Sequence, residues 1–293
     1  MNRRALVTAG TGGIGLETAV GLAAVGYAVT VVGRDAVRGR SAVERINAVG
    51  TAAEARFVTA DLASLSEVRD LADRVAADGA LSVLVNNVGA MFDDRRVTPD
   101  GIEASFALNH LSPYLLTELL LPALRAGAPS RVVNVTSGSV RIATGRIDTA
   151  EQKGGYYGLH AYGRAKLANL AYTLDLAQRL KSDGISVFAA DPGGAVTTMT
   201  TGTMSSSRVV APWLRPFWPL VHKAFQRTTS GTPAQAARSS VVAATDPALA
   251  GRPGLVVGPD GRPLSPPRRA TDPRLAEAIR TLSRRLAPPT DGD

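Results

Sequence analysis

Short, near-continuous apolar runs alternate along this chain with longer stretches in which apolar residues recur at three- and four-residue spacing. Ala5 to Ala9, Ala28 to Val32 and Glu54 to Thr59 are runs of the first kind. Helical spacing follows each of them, beginning at about Gly13 after the first and at Ser64 after the third. The alternation continues with Leu81 to Val85, Arg131 to Thr136, Ile185 to Ala190 and Leu255 to Val257. Helical stretches over Gly101 to Leu124, Ala161 to Leu180 and Pro233 to Ala244 lie between these runs. Regular strand–helix alternation predicts a parallel sheet, and strands that are apolar throughout predict helices on both faces. The expectation is an α/β fold, a single doubly wound domain over residues 1–293 with a seven-stranded parallel sheet. Ligands of such sheets bind at the carboxyl ends of the strands.

One segment breaks this rhythm. Thr197 to Thr232 is rich in Thr, Ser and Pro and contains both tryptophans, Trp213 and Trp218, with Phe217 between them. Pro212, Pro216 and Pro219 prevent one uninterrupted helix. The segment reads as a substrate lid, residues 197–232, with a membrane-surface or dimer contact as the other readings. Beyond it, residues 258–293 form a C-terminal extension, Pro- and Gly-rich from Gly258 to Pro267 and amphipathic from about Pro273 to Leu286.

Composition narrows the chemistry. The chain has no cysteine, which excludes disulfides, thiolate nucleophiles and cysteine metal sites, and His110, His160 and His222 lack metal-ligand spacing. The net charge of +8 comes mostly from scattered arginines without aromatic interleaving, so no nucleic-acid partner is expected. No apolar run is long enough to span a bilayer, and Met1-Asn2-Arg3-Arg4 has no signal-peptide core behind it. A cytoplasmic protein with no stable membrane insertion is the expectation.

Three motifs carry chemistry. Thr8-Ala9-Gly10-Thr11-Gly12-Gly13-Ile14-Gly15 joins the first strand to the first helix. Small residues there let backbone N–H groups approach a pyrophosphate, and the helix N-terminus favours its charge. After the second strand, Gly33 leaves empty the position at which an acidic side chain would meet a ribose 2′-hydroxyl. Arg34 follows, with Arg38 as support, and a guanidinium suits a 2′-phosphate, so NADP(H) is favoured over NAD although Asp35 adjoins. Finally, Tyr162-Gly-Arg-Ala-Lys166 lies in a helical run, so Tyr162 and Lys166 share a face. A neighbouring cation favours the phenolate and lowers a tyrosine from its usual value of about 10, toward acid/base use near neutral pH.

With these pieces in place, nearly the whole chain resembles the short-chain dehydrogenase/reductases, in particular their retinol dehydrogenase-like branch. The matching pieces are the Gly-rich loop, Asp61-Leu62, Asn86-Asn87-Val88-Gly89, Asn109-His110, Asn134-Val135-Thr136-Ser137, Tyr162 with Lys166, and Pro192-Gly193 with Thr197. The resemblance implies a Rossmann-type fold in which Tyr162 protonates the substrate oxygen while Ser137, 25 residues upstream, holds that oxygen. Ser139 is the second choice for the latter role. It further implies that Lys166 binds the nicotinamide ribose and lowers the Tyr162 pKa, and that Asn109 holds a water linking Lys166 to solvent. The cofactor-binding set it implies is Thr8, Gly10, Gly13, Ile14, Gly15, Arg34, Asp61, Leu62, Asn87, Gly89, Tyr162, Lys166, Pro192, Gly193 and Thr197. A homo-oligomer through the helices before and after the fifth strand is also implied, unless the Arg-rich C-terminus blocks that face.

Two positions depart from the family pattern. Ala9 stands for a glycine, at little cost if its φ is negative and with Gly10 available to absorb the turn; Val88 stands for an alanine and adds bulk beside the cofactor. The expected activity is NADP(H)-dependent interconversion of a ketone or aldehyde and an alcohol on a bulky apolar or aromatic small molecule. Two other readings are a non-redox cyclase, isomerase or dehydratase on the same fold, and an NADP-binding sensor without turnover.

Overall fold

The computed structural model describes residues 3–50, 54–151, 155–195, 206–220, 222–223 and 231–289. Its first half repeats a strand–helix unit: β1 (Arg4–Val7), α1 (Gly13–Ala24), β2 (Ala28–Gly33), α2 (Ala36–Asn47), β3 (Arg56–Thr59), α3 (Leu65–Ala77) and β4 (Val83–Asn86). After α4 (Ala104–Phe106) come a π-helix (Ala107–Leu111), α5 (Ser112–Ala126), β5 (Ser130–Val135), α6 (Gly158–Arg179) and β6 (Ile185–Ala190). The chain closes with α7 (Pro233–Thr245), β7 (Val256–Val257), β8 (Pro263–Leu264) and α8 (Pro273–Leu286).

The strands form one sheet in the order β3-β2-β1-β4-β5-β6-β7-β8. Strands β1 to β7 pair in parallel, as their buried apolar runs require, and only β8 is antiparallel. The expected seven-stranded sheet therefore gains an eighth strand at its edge. Two residues are too short to leave a pattern in sequence, and Pro263, which has no N–H to donate, belongs on an edge. Leu22, Ile46 and Ala243 of α1, α2 and α7 pack on one face of the sheet, and Leu71, Leu116 and Leu167 of α3, α5 and α6 pack on the other. The strand order reverses between β1 and β4, and the loops at their carboxyl ends open a cleft there.

The helix expected over Gly101 to Leu124 is interrupted, and Asn109 explains where. Its Nδ2 donates to the carbonyls of Ser105 (2.8 Å), four residues earlier, and Ala90 (2.7 Å), taking the acceptor that a regular helix would give to the Asn109 amide. The turn widens into the π-helix that carries Asn109 and His110.

The C-terminal helix α8 lies along α6 with Leu275, Ile279 and Leu282 buried. It thus occupies surface on α6, one of the two helices that the family likeness assigns to oligomer contacts. Arg280 pairs with Asp175 at 2.9 Å, and the Ser283 hydroxyl meets His110 Nε2 at 2.7 Å.

Candidate active site

The β1–α1 loop is shaped by close approaches. A Cβ on Gly10 would lie 2.7 Å from Val31 Cγ1, and one on Gly15 would collide with the Ala9 carbonyl. Gly13 takes φ +53°, a left-handed conformation suited to glycine. Behind the loop, Thr8 Oγ1 accepts from the amides of Asn87 (2.9 Å) and Val88 (3.1 Å), fixing the β4 turn against the β1 turn. Asn87 Nδ2 donates back to the carbonyls of Thr8 and Ala9. Thr8 and Gly10 thus sit behind the cleft wall rather than on it, whereas Gly13, Ile14, Gly15, Arg34, Asp61, Leu62, Asn87, Gly89, Pro192 and Gly193 line it. Thr197 lies outside the described residues.

Ala9 sits at φ +50°, the one non-glycine with positive φ among the described residues, so the turn is not absorbed by Gly10 as expected from sequence. Side chains in this region cost about 1–2 kcal/mol, while glycine's extra freedom in the unfolded chain costs about 0.5–1 kcal/mol. Ala9→Gly should therefore raise unfolding free energy by about 0.5–1 kcal/mol, read as a higher urea midpoint at unchanged slope. A lower midpoint would show that the Ala9 methyl contributes more by packing than its backbone loses.

At the end of β2, the Asp35 carboxylate accepts from the amides of Val37 (2.8 Å) and Arg38 (3.1 Å) and so caps its own helix, α2. The Arg38 guanidinium reaches across the phosphate loop, its Nη2 2.7 Å from where a Cβ on Gly12 would be. Arg34 is exposed at the rim, 3.9 Å from Asp61. Two guanidinium groups therefore border the cleft at the end of β2. The bare Gly12 and the glycine cradle at the N-terminus of α1 fit a dinucleotide phosphate.

At the other end of the cleft, Ser137 closes β5 and Tyr162 projects from the first turns of α6. Ser137 and Tyr162 both line the cleft, with the Ser137 hydroxyl near enough to the phenol to favour its ionised form. Ser137 Oγ also accepts from the Ser139 amide at 3.2 Å, whereas the buried Ser139 hydroxyl has no partner among the described residues. Burial pushes the Tyr162 phenol up to about 12, the nearby Ser137 hydroxyl opposes this, and the negative charge of Asp191 adds to it. Lys166 Nζ donates to the Val135 carbonyl at 2.8 Å and lies 5.9 Å from the Tyr162 ring centre, and burial brings its pKa down to about 7. The expected lowering of the Tyr162 pKa by Lys166 is not found here, because a buried amine with one carbonyl partner is itself drawn toward neutrality.

Asn109 stands behind the cleft wall with its side chain fully engaged, since Oδ1 accepts from the Ala90 amide at 3.2 Å. Its backbone carbonyl accepts from Asn169 Nδ2 at 2.9 Å. Asn109 and Lys166 converge on Gly89, where a Cβ would lie 3.0 Å from Asn109 Oδ1 and 3.3 Å from Lys166 Nζ.

Asp191 was missed in the sequence. It ends β6, lines the cleft and accepts from the Gly193 amide at 3.0 Å. Its position one residue past an apolar strand was the available signal. The cleft has a volume of about 790 Å³, and its lining includes the apolar side chains of Leu108, Ile142 and Leu159 as well as Tyr162. Of the tryptophan and phenylalanine side chains in the lid segment, among the described residues only Trp218 turns inward. With Leu214 it packs against a cluster of Met91, Tyr162, Val209 and Val210, whereas Trp213 and Phe217 are exposed.

Comparison with known proteins supplies the family. Residues 3–207 match the family model for short chain dehydrogenase. Mouse retinol dehydrogenase 12 is 37% identical over 196 residues, which are 67% of this chain and 62% of that protein. The match thus spans less than two thirds of that relative. Human polyprenol dehydrogenase is 34% identical over 257 residues, covering 85% of this chain and 74% of its own. Among solved structures, an uncharacterized protein from Mycobacterium paratuberculosis superposes with a TM-score of 0.73 at 29% identity, covering 97% of this chain and 93% of its own. The Pseudomonas aeruginosa RhlG/NADP active-site complex does so at 0.67 and 28%, covering 87% of this chain and 94% of its own. The chain belongs to the short-chain dehydrogenase family, in its retinol dehydrogenase-like branch.

Proposed function

We propose that this chain is an NADP(H)-dependent oxidoreductase that reduces a ketone or aldehyde on a bulky apolar or aromatic small molecule, and oxidises the corresponding alcohol in reverse. The observation that carries this reading is the convergence of Ser137, Tyr162 and Lys166 on the wall of one cleft, with the phenol held protonated at neutral pH by burial. A protonated phenol is the form that donates to a carbonyl oxygen as negative charge develops there. When bound, the reduced nicotinamide supplies the hydride. Ser137 orients the substrate oxygen toward Tyr162, and Tyr162 gives that oxygen its proton. Lys166, anchored at the end of β5, serves as the ribose anchor and as the route by which Tyr162 is reprotonated, with Asn109 holding the wall behind it. The apolar residues in the cleft lining support a bulky substrate, and the relatives named for retinol and polyprenol fit that class.

The NADP(H) preference rests on Arg34 and Arg38, and on Asp35 facing its own helix. A neighbouring fold solved with NADP supports it. Charge-assisted hydrogen bonds to a phosphate contribute about 1.5–3 kcal/mol each. Replacing Arg34 and Arg38 together with alanine should weaken NADPH binding about a hundredfold or more while leaving NADH binding within about threefold, read by cofactor fluorescence titration. Equal losses for both cofactors would remove the 2′-phosphate from the argument. The activity itself is tested by NADPH absorbance with a panel of aromatic and long-chain aliphatic ketones and aldehydes. Substrate conversion at constant NADPH would replace the redox reading with isomerisation or dehydration by the same tyrosine.

A further inference from the structure

The segment from Pro212 to Leu220 turns its largest apolar side chains away from the protein. Trp213 and Leu220 are 72% and 70% exposed, the two highest values for large apolar side chains among the described residues, and Phe217 is 56% exposed. Pro212–Phe217 is a 3-10 helix and the chain stays helical to Leu220, and from it all three of these side chains reach solvent. Leu214 and Trp218, interleaved with them, turn inward and pack against the cluster of Met91, Tyr162, Val209 and Val210. Trp218 also stacks on His222, with ring centres 5.4 Å apart. Three prolines restrict the backbone. The outward face is therefore held in place by the wall of the cleft.

Charge selects the occupant. Between Asp191 and Asp246 the sequence has no acidic residue, yet it carries Arg208, Arg215, Lys223, Arg227 and Arg238, five positive charges against a net +8 for the whole chain. Arg208, Arg215 and Lys223 are exposed, and no ion pair joins them to a described residue. A second copy docked through the same face would bring these like charges together. Aromatic and aliphatic side chains flanked by lysine and arginine instead match the boundary between acyl chains and anionic headgroups.

We propose that the Pro212–Leu220 segment docks this protein on an anionic lipid bilayer, inserting Trp213, Phe217 and Leu220 at the headgroup boundary with Arg208, Arg215 and Lys223 against the lipid phosphates. Among the described residues no helix is long and apolar enough to cross a membrane, so the association is peripheral. Because the inward side of the segment packs on the cluster that includes Tyr162, docking brings the cleft close to the lipid phase, where an apolar carbonyl compound would dissolve. That consequence rests on the proposed activity, whereas the docking itself does not.

The test uses the full chain without cofactor and two vesicle preparations, phosphatidylcholine alone and phosphatidylcholine with about one third phosphatidylglycerol. Both tryptophans of the chain lie in this region, so a blue shift of intrinsic fluorescence reports its insertion directly. Co-sedimentation with the anionic vesicles should be at least about tenfold stronger than with neutral ones and should weaken with added salt. The triple variant Trp213→Ala, Phe217→Ala, Leu220→Ala should lose about tenfold or more of that binding with an unchanged unfolding midpoint. Arg215→Glu alone should weaken binding to anionic vesicles and leave the neutral ones unaffected. Absence of vesicle binding, or equal binding by the triple variant, would overturn the proposal. So would a concentration-dependent dimer in sedimentation that the triple variant abolishes while vesicle binding stays absent, because the face would then belong to a second copy. Each of these readings is independent of whether NADPH is consumed.

Discussion

Tyr162→Phe should lower the turnover of NADPH-dependent carbonyl reduction about 10²- to 10⁴-fold, the range expected when a positioned proton donor is removed. That corresponds to about 3–5 kcal/mol of transition-state stabilisation. The substitution keeps the ring, which packs with Met91, Val209 and Val210, and removes only the hydroxyl, the group beside Ser137 that carries the proton. NADPH affinity by fluorescence titration should therefore stay within about threefold, and the loss should fall on kcat rather than on binding. Ser137→Ala should lose turnover in the same direction but retain more, because the phenol still carries its proton. The pH profile follows from the phenol's elevated pKa: reduction should hold through neutral pH and fall at alkaline pH as the donor deprotonates. Alcohol oxidation, which needs the phenolate, should rise over the same range. Turnover by Tyr162→Phe at the level of the unmodified protein would end the assignment of Tyr162 as the acid.

Most of the architecture was legible because parallel strands buried on both faces are written as unbroken apolar runs. What escaped was encoded elsewhere. Strand β8 is two residues long, and the π-helix depends on one side chain, Asn109, reaching back to the Ser105 carbonyl. No periodicity records either event. In the site, Tyr162, Lys166 and Ser137 were found by spacing and family likeness, and the cleft brings them to one end. Spacing could not give their electrostatics. Whether a lysine one turn away lowers a phenol's pKa depends on where Nζ points and how deeply both groups are buried, and here Nζ points at Val135. Ala9 is a similar case: its identity was plain, but the sign of its φ was not. The aromatic residues of the lid segment read alike in sequence, and only packing separated the inward Trp218 from the outward Trp213 and Phe217.

Acid should destabilise this protein through His110, a residue to which no catalytic task falls. His110 is fully buried among the rings of Phe106, Tyr114 and Tyr172. Ser283 gives its own hydroxyl hydrogen to the Ile279 carbonyl at 2.7 Å, so His110 Nε2 is the donor to Ser283 and Nδ1 carries the lone pair. Nδ1 has no partner among the described residues. Protonation would put a charge and a second N–H into this apolar site, and burial accordingly lowers the His110 pKa from 6.5 to about 3. The folded state thus binds fewer protons than the unfolded state between those values. Stability is therefore fully present above about pH 6.5 and is lost as pH falls below it, by up to about 1.4 kcal/mol per unit. At pH 5 the His110 contribution should reach about 2 kcal/mol. Urea unfolding at pH 7.5 and 5.0 measures it, and His110→Gln, which keeps a donor for Ser283 but cannot titrate, should lack that part of the loss. A pH dependence identical in the two proteins would assign the acid sensitivity elsewhere, with His160, also lowered by burial, as the next histidine to replace. Because His110 joins α8 to the π-helix that holds Asn109, acid loosens the C-terminal helix and the wall of the active cleft through the same residue.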